Sequence, residues 1–258
     1  MFSVCKNAFW CTPTGGKVCS VCIGGAFCTR TGGKSQLFAI FVENQIAKMR
    51  RIVFIAAAAL VMFSCGKENQ KFRIGAVDIG LSVKWANANL GAEAPEGYGD
   101  SYAWGETQTK EVFSFASYHW YHLDGDNAPF LTKYNNSSYY GTVDNKVVLD
   151  AADDVAHVQL GGKWRMPTKR EVEELISTQI NDNYRWQLKF VNGQYGWMIT
   201  YLVNKNAIFI PYGGKYIWSS SLDEEGPLSA YYVIFSESNI IGTYDERFRG
   251  HKVRPVSE

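Results

Sequence analysis

The densest group of side chains able to do chemistry lies in His119-Trp-Tyr-His122, which is followed by Asp124 and Asp126. Imidazoles three residues apart, with carboxylates nearby, are ligand types that bind zinc or iron. Asp124-Gly-Asp126 also resembles part of a calcium loop, but the third acidic position and the late bidentate Glu are missing. Solvated loop side chains are the alternative. The four residues are therefore weak metal candidates, and we predict neither a bound metal nor another cofactor.

Aromatic side chains surround this group. Residues 106–148 are irregular and rich in Tyr, Asn, Ser and Asp. Long irregular segments in compact domains are often binding loops, and aromatic side chains suit sugar or protein recognition as well as core packing. We therefore predict that the ligand, a glycan or a protein, contacts Trp104, Tyr118, His119, Trp120, Tyr121 and His122.

Catalytic constellations are harder to find. Asp153, Asp154 and His157 would share a helical face, and a triad could be imagined with Ser219–Ser221, but no Gly-x-Ser-x-Gly elbow is present. We interpret the serines as part of a structural strand. We expect Arg165 and Arg254 to bond loop carbonyls.

No catalytic residue is predicted, so the leading hypothesis is a non-catalytic binding or adhesion domain. A rival hypothesis is an enzyme that acts on envelope material with His119, His122 and Asp124. A third is a structural component of a surface assembly.

A short segment predicts the cellular address. Met49-Arg50-Arg51 precedes an uninterrupted apolar run over residues 52–63, and Ser64-Cys65 follows. A membrane-spanning helix needs about 20 apolar residues, whereas this run has the length of a signal-peptide core. Residues 49–64 resemble a bacterial lipoprotein signal, with lipidation at Cys65 and a tether over 65–75. A buried core helix or a single-pass anchor is the alternative. The absence of any other cysteine between Cys65 and Glu258 favours the lipid.

Residues 1–48 precede that signal, so we interpret them as a spurious upstream extension. They hold five of the six cysteines, and Cys11-Thr-Pro-Thr-Gly-Gly-Lys returns as Cys28-Thr-Arg-Thr-Gly-Gly-Lys. A genuine extension is one alternative. A zinc site at Cys19 and Cys22 is another, although structural zinc sites need further ligands at set spacing.

The composition after Cys65 bounds the partners. This part has 19 Lys and Arg against 24 Asp and Glu, a net charge of −5, and no basic cluster. Nucleic acid is therefore not an expected partner. The membrane is an expected partner, through the lipid on Cys65.

Patterning after the tether predicts an α+β domain. One helix is predicted over Asp150–Gln159 and another over Thr168–Thr178, where Thr168 and Glu171 form a capping box. Short, mostly antiparallel strands are expected to account for the rest, between long loops. They are predicted near 82–87, 102–104, 197–203, 207–211, 216–218, 230–235 and 250–256.

Several motifs resemble the Fibrobacter succinogenes major paralogous domain family over residues 76–257. They are Val77–Gly91, Tyr98–Glu106, Leu131–Tyr134, Gly162–Thr168, Trp218–Ser221 and Val253–Val256. The resemblance implies a fold similar to C-type lectins and formylglycine-generating enzymes, on secreted or surface lipoproteins. Formylglycine generation needs cysteines, which this domain lacks. The tripeptides of calcium-dependent sugar binding are also missing. We expect an outer-membrane lipoprotein that faces either the periplasm or the outside.

Overall fold

A computed structural model describes residues 18–22, 26–29 and 72–258. The segment 49–64 that is predicted to be a signal, Cys65 and most of the expected tether lie outside the described residues. Strands β1 (Val18–Cys22) and β2 (Ala26–Thr29) pair antiparallel, with Cys19 opposite Cys28. They belong to a unit of their own, whereas residues 71–258 form a second unit that contains the expected domain. No helix among the described residues is long and apolar enough to cross a membrane.

The second unit consists of small antiparallel sheets. The sheet orders are β3-β4-β14-β7, β5-β6, β10-β9-β8 and β11-β12-β13. The strands are β3 (Ala76–Val77), β4 (Lys84–Ala86), β5 (Tyr121–Leu123), β6 (Pro129–Leu131), β7 (Trp164–Arg165), β8 (Tyr184–Val191), β9 (Gln194–Tyr201), β10 (Ala207–Pro211), β11 (Tyr216–Leu222), β12 (Ser229–Phe235), β13 (Ile240–Glu246) and β14 (Val256–Ser257). With two short α-helices beside them, the predicted α+β class is confirmed.

Helix α1 (Val155–Leu160) is shorter than predicted. Its N-cap is Asp154, whose carboxylate accepts from the amides of Ala156 and His157. Residues 150–153 therefore form a turn, and the predicted start at Asp150 is wrong. The first helical turn exposes unpaired amides, and a carboxylate is the side chain that satisfies them best.

Helix α2 (Lys169–Ser177) confirms the second prediction, including the capping box. The Thr168 side chain accepts from the Glu171 amide, and the Glu171 carboxylate accepts from the Thr168 amide at 2.8 Å. Val172 and Leu175 of its apolar stripe are fully buried. They pack with strands β9 to β12 in one of the two large hydrophobic clusters. Short 3₁₀ turns occur at Phe115–Ser117, Ser138–Tyr140, Thr178–Ile180 and Tyr212–Gly214.

The second large cluster contains Trp104, Tyr134 and Trp218. Trp104 Nε1 donates to the Ser219 carbonyl at 2.9 Å, and its ring meets Tyr134 edge-on. Trp218 Nε1 donates to the Tyr102 carbonyl at 2.9 Å, so both indoles of this cluster keep their polar atoms paired while their rings supply apolar area. This cluster lies beneath the segment that contains the predicted ligand-binding residues.

Two strand predictions need correction, and two of the long strands have no prediction. Residues 102–104 form a single bridge, Tyr102 to His251, rather than a strand. Only the end of the predicted 250–256 strand is regular, as β14. Strand β8 was not predicted, although its exposed residues alternate with half-buried ones over most of its length. Exposed and half-buried residues do not alternate along β13. This strand is defined by its antiparallel pairing with β12.

Candidate functional site

A surface cleft of about 380 Å³ is the candidate site. Three chain segments form it: residues 105–108, residues 117–120 and residues 152–153. Its lining residues are Gly105, Glu106, Thr107, Gln108, Ser117, His119, Trp120, Ala152 and Asp153, and we call it the Trp120 cleft. Its volume lies in the range of small-ligand sites, which is roughly 300–1,000 Å³.

The indole of Trp120 is held in a fixed position. Its Nε1 donates to the Gly105 carbonyl at 3.0 Å, and the His119 ring meets it edge-on with 4.5 Å between centroids. Gly105 has φ +76°, and a Cβ there would lie 3.0 Å from Trp120 Nε1. Glycine therefore allows both the turn and the close approach of the indole.

The carboxylate of Glu106 joins two walls of the cleft. Lys110 Nζ donates to it at 2.8 Å, and the His119 amide donates to the same oxygen at 2.8 Å. Lys110 Nζ also donates to the Ser117 carbonyl at 2.7 Å. These hydrogen bonds join segment 106–110 to segment 117–119, and Lys110 compensates the negative charge of Glu106.

Asp153 on the opposite wall is paired in the same way. Lys133 Nζ lies 2.5 Å from Asp153 Oδ2 and 2.6 Å from Asp150 Oδ2. The hydroxyl of Tyr134 also donates to Asp153. Burial alone would lower the pKa of Lys133, but the hydrogen bonds to Asp150 and Asp153 outweigh burial and raise it. Lys133 therefore stays charged and neutralises Asp153.

A buried arginine holds the supporting residues together. Arg247 is fully buried and donates to the carbonyls of Lys133 (3.1 Å), Tyr134 (3.1 Å) and Pro227 (2.8 Å). Its Nε donates to the Tyr118 hydroxyl at 2.9 Å. Because the planar guanidinium offers donors in fixed directions, it fixes several loops at once.

Two predicted ligand contacts are wrong. Trp104 is 0% exposed and Tyr118 is 3% exposed. The Tyr118 hydroxyl donates to the Trp104 carbonyl at 2.7 Å, and the Arg247 guanidinium lies over the Trp104 ring. Both side chains are core supports beneath the cleft, because their polar atoms are satisfied inside the protein.

The remaining predicted residues divide between two places. His119 and Trp120 line the cleft, whereas Tyr121, half-buried, packs against Phe115 with 4.7 Å between rings. His122 is exposed on β5, where its ring lies beside Phe130 of β6. The structure therefore does not bring Tyr121 or His122 to the cleft.

Asp124 and Asp126 belong to the turn between β5 and β6. Asp124 Oδ1 accepts from the amides of Asp126 and Ala128, both at 2.9 Å, as in an Asx turn. Over residues 72–258, no three His, Cys, Asp or Glu side chains come together as metal ligands. His119, His122 and Asp124, which the rival enzyme hypothesis needs in one cleft, are not assembled there.

The imagined catalytic triad is not assembled either. Asp154 is buried and also accepts from the Met166 amide at 2.8 Å, while His157 Nδ1 lies 3.1 Å from the Trp164 carbonyl. Ser219 and Ser220 are buried, with hydroxyls that donate to the carbonyls of Tyr231 and Pro167. The structural interpretation of the Trp218–Ser221 strand is confirmed.

The arginines also have the structural contacts that we expected. Arg254 is fully buried and donates to the carbonyls of Ala86 and Phe209, and burial lowers its pKa to about 9. Arg165 donates to the Met166 carbonyl and forms a bidentate pair with Glu171. Arg165 is thus paired with a carboxylate, whereas Arg254 lies in the interior, where its Nε has no hydrogen-bond partner among the described residues.

Sequence reasoning missed most of the polar lining. Glu106 ends the Trp-Gly-Glu motif and Thr107 and Gln108 follow it, but nothing in that motif indicates a cleft. Asp153 was assigned to a helical face, whereas it precedes the helix and faces Lys133. The Asp153-Asp154 pair before Val155 could have indicated a carboxylate outside the helix. Only one of two adjacent carboxylates can cap the helix, so the other has to find a different partner.

Comparison with models of known protein families, with curated proteins and with solved structures gave no match for this chain.

Proposed function

We propose that this protein is a lipid-anchored component of the bacterial cell envelope whose domain binds a glycan in the Trp120 cleft. The observation that carries the proposal is the combination of a fixed indole with unengaged polar side chains in one concavity. Anchoring through Cys65 would hold the domain at the outer membrane, facing either the periplasm or the outside.

The chemistry of the lining favours a sugar. Sugar rings offer apolar C–H faces to aromatic rings, and hydroxyls to hydrogen-bonding groups. The hydroxyl of Thr107, the amide of Gln108 and the imidazole of His119 have no side-chain hydrogen bond to any residue within 72–258, whereas the Trp120 Nε1 is already satisfied. The cleft therefore pairs an apolar surface with donors and acceptors in need of partners.

The size of the cleft favours a glycan over a protein as ligand. Stable protein interfaces involve about 20–30 residues on each partner, whereas nine residues line this cleft. A protein could contact the cleft only as one part of a wider surface.

We also propose membership of the Fibrobacter succinogenes major paralogous domain family, with its C-type-lectin-like fold. Supporting this, motif residues occupy the most buried positions of the domain. Trp85, Trp104, Trp218 and Arg254 are all at most 1% exposed. Motifs that define a fold are expected to lie at such positions, because substitutions in a close-packed core are costly.

Lipidation is tested by the change Cys65→Ala. Each methylene of an acyl chain that enters the membrane contributes about 0.8 kcal/mol, so a multiply acylated cysteine stays membrane-bound. We expect palmitate labelling and membrane fractionation for the wild type and neither for Cys65→Ala. Asn69→Ala, in the expected tether, is the control and keeps both. Labelling of the Cys65→Ala protein would refute the assignment.

Glycan binding is tested with the detergent-solubilised full-length protein on a glycan array. We expect Gln108→Ala and Trp120→Ala to weaken binding of the strongest array ligand. For the second the loss should be about five- to 150-fold if a sugar face stacks on the indole about as strongly as a nucleobase does, at about 1–3 kcal/mol. Phe190→Ala removes an exposed aromatic side chain from β8, outside the cleft, and is expected to bind normally. Absence of any array ligand at millimolar concentration would contradict the proposal.

A further inference from the structure

We infer that the Trp120 cleft selects uncharged sugars over their acidic and amino counterparts, an inference that rests on the proposed glycan binding. The cleft is lined by two carboxylates, Glu106 and Asp153, and by no lysine or arginine. Each carboxylate is already paired with a lysine from outside the lining, Lys110 and Lys133.

Because Glu106 and Lys110 are already paired, neither is available to pair with a charged group of a ligand. Lys110 Nζ has three protons and contacts both Glu106 oxygens, at 2.8 and 2.7 Å, and the Ser117 carbonyl at 2.7 Å. One Glu106 oxygen also accepts from the His119 amide. An incoming ammonium would compete with Lys110, and an incoming carboxylate would meet a lysine with its three protons committed.

The pairing at Asp153 leads to the same conclusion. Lys133 bridges Asp153 and Asp150, and its Nζ lies 5.5 Å from the centre of the Trp120 ring. Asp153 Oδ2 accepts from both Lys133 and the Tyr134 hydroxyl. Lys146 Nζ lies 2.6 Å from Asp150 Oδ2 as a second cation, so two lysines balance the two carboxylates on this wall before any ligand arrives.

A charged ligand group loses hydration when it enters a concave site, and the loss is recovered only if an opposite charge is free to pair with it. This cleft offers no such charge, whereas a sugar hydroxyl can pair with Thr107, Gln108 or His119. Neutral sugars therefore lose less hydration free energy than charged sugars when they enter the cleft.

The test uses a glycan array on which each backbone appears in three forms: neutral, N-deacetylated with a free ammonium, and uronic-acid. It is run at about pH 6, below the pKa of an α-amine (about 7.7–8.0) and above that of an α-carboxyl (about 3.3–3.7), so that both charged forms carry their charge. We expect the neutral form of the recognised backbone to bind at least about tenfold more tightly than both others. If a charged form binds as tightly or more tightly, the inference is overturned and the proposed glycan binding stands. If no form of any backbone binds, the proposed function fails, and the inference with it.

Charge-altering variants test the cause directly. Lys110→Met unpairs Glu106, so the ammonium form should gain about tenfold relative to the neutral form, and the gain should fade with added salt. Lys163→Met, an exposed lysine outside the cleft, should leave the preference unchanged. Circular dichroism establishes that each variant is folded. A folded Lys110→Met protein with the wild-type preference would overturn the inference.

Discussion

Removal of one oxygen atom, in Tyr118→Phe, should destabilise the domain by about 2–4.5 kcal/mol. The buried hydroxyl donates to the Trp104 carbonyl at 2.7 Å and accepts from Arg247 Nε at 2.9 Å. Burial raises the pKa of Tyr118, so the hydroxyl stays protonated and keeps its donor role. A neutral hydrogen bond contributes about 0.5–1.5 kcal/mol and one to a charged group about 1.5–3 kcal/mol, and the two together give the stated range.

The loss should be confined to the hydrogen bonds. The phenylalanine ring keeps the apolar packing of Tyr118 with Ala103 and Phe248. Arg247 keeps its three bonds to backbone carbonyls, but its Nε is left without a partner in a site that water does not reach. An unsatisfied donor on a buried charged group is the costly part of the change.

Urea unfolding followed by tryptophan fluorescence measures the effect. The slope of the unfolding free energy against urea should not change, because the same surface is exposed on unfolding. With a slope of roughly 2 kcal/mol per molar, the midpoint should fall by about 1–2 M. Tyr139→Phe, whose side chain is 73% exposed, is the matched control and should stay within about 0.5 kcal/mol of wild type. Equal effects of the two changes would refute the role assigned to the Tyr118 hydroxyl.

Three further predictions concern α2 and the cleft. Thr168→Ala removes the N-cap and should cost about 1 kcal/mol in a thermal melt; an unchanged melting temperature would show that the cap contributes nothing. Burial alone would raise the pKa of Glu171, but bonds from Arg165 and from the Thr168 amide lower it overall. Its stabilisation is therefore present above the ordinary glutamate pKa of about 4.3 and lost as pH falls through the lower folded value. Glu171→Gln should flatten that acidic loss in melts between pH 3 and 7, and parallel curves would contradict this. Gly105→Ala should lower the melting temperature and alter tryptophan fluorescence, because φ is +76° there, whereas Gly125→Ala, with open space around it, should do neither.

Local sequence patterns were enough to predict those helices and strands that are stabilised by residues close together in the chain. Helix α2 follows from Thr168, Glu171 and an apolar stripe three and four residues apart, all of which are written within one short segment. The early part of helix α1 was mispredicted because either Asp150 or Asp154 could begin a helix. The backbone amides of Ala156 and His157, which Asp154 caps, decide between them.

The candidate site was only partly predictable. His119 and Trp120 were found because they stand in an aromatic, polar segment. Trp104 and Tyr118 stand in the same kind of segment but lie in the core. Trp104 Nε1 donates to the Ser219 carbonyl and the Tyr118 hydroxyl accepts from Arg247, and both partners are more than 110 residues away in the sequence. Aromatic content by itself does not distinguish a ligand platform from a core support.

The sequence by itself determined the α+β class, the capped helix α2 and the prediction of a lipidated Cys65, because each depends on the spacing of residues within one segment. The tertiary structure decided which polar groups meet. Glu106 and Asp153 are 47 positions apart, yet they line one cleft, each neutralised by its own lysine. The charge that this cleft offers a ligand depends on distances between side chains from separate loops, and no local pattern in the chain encodes those distances.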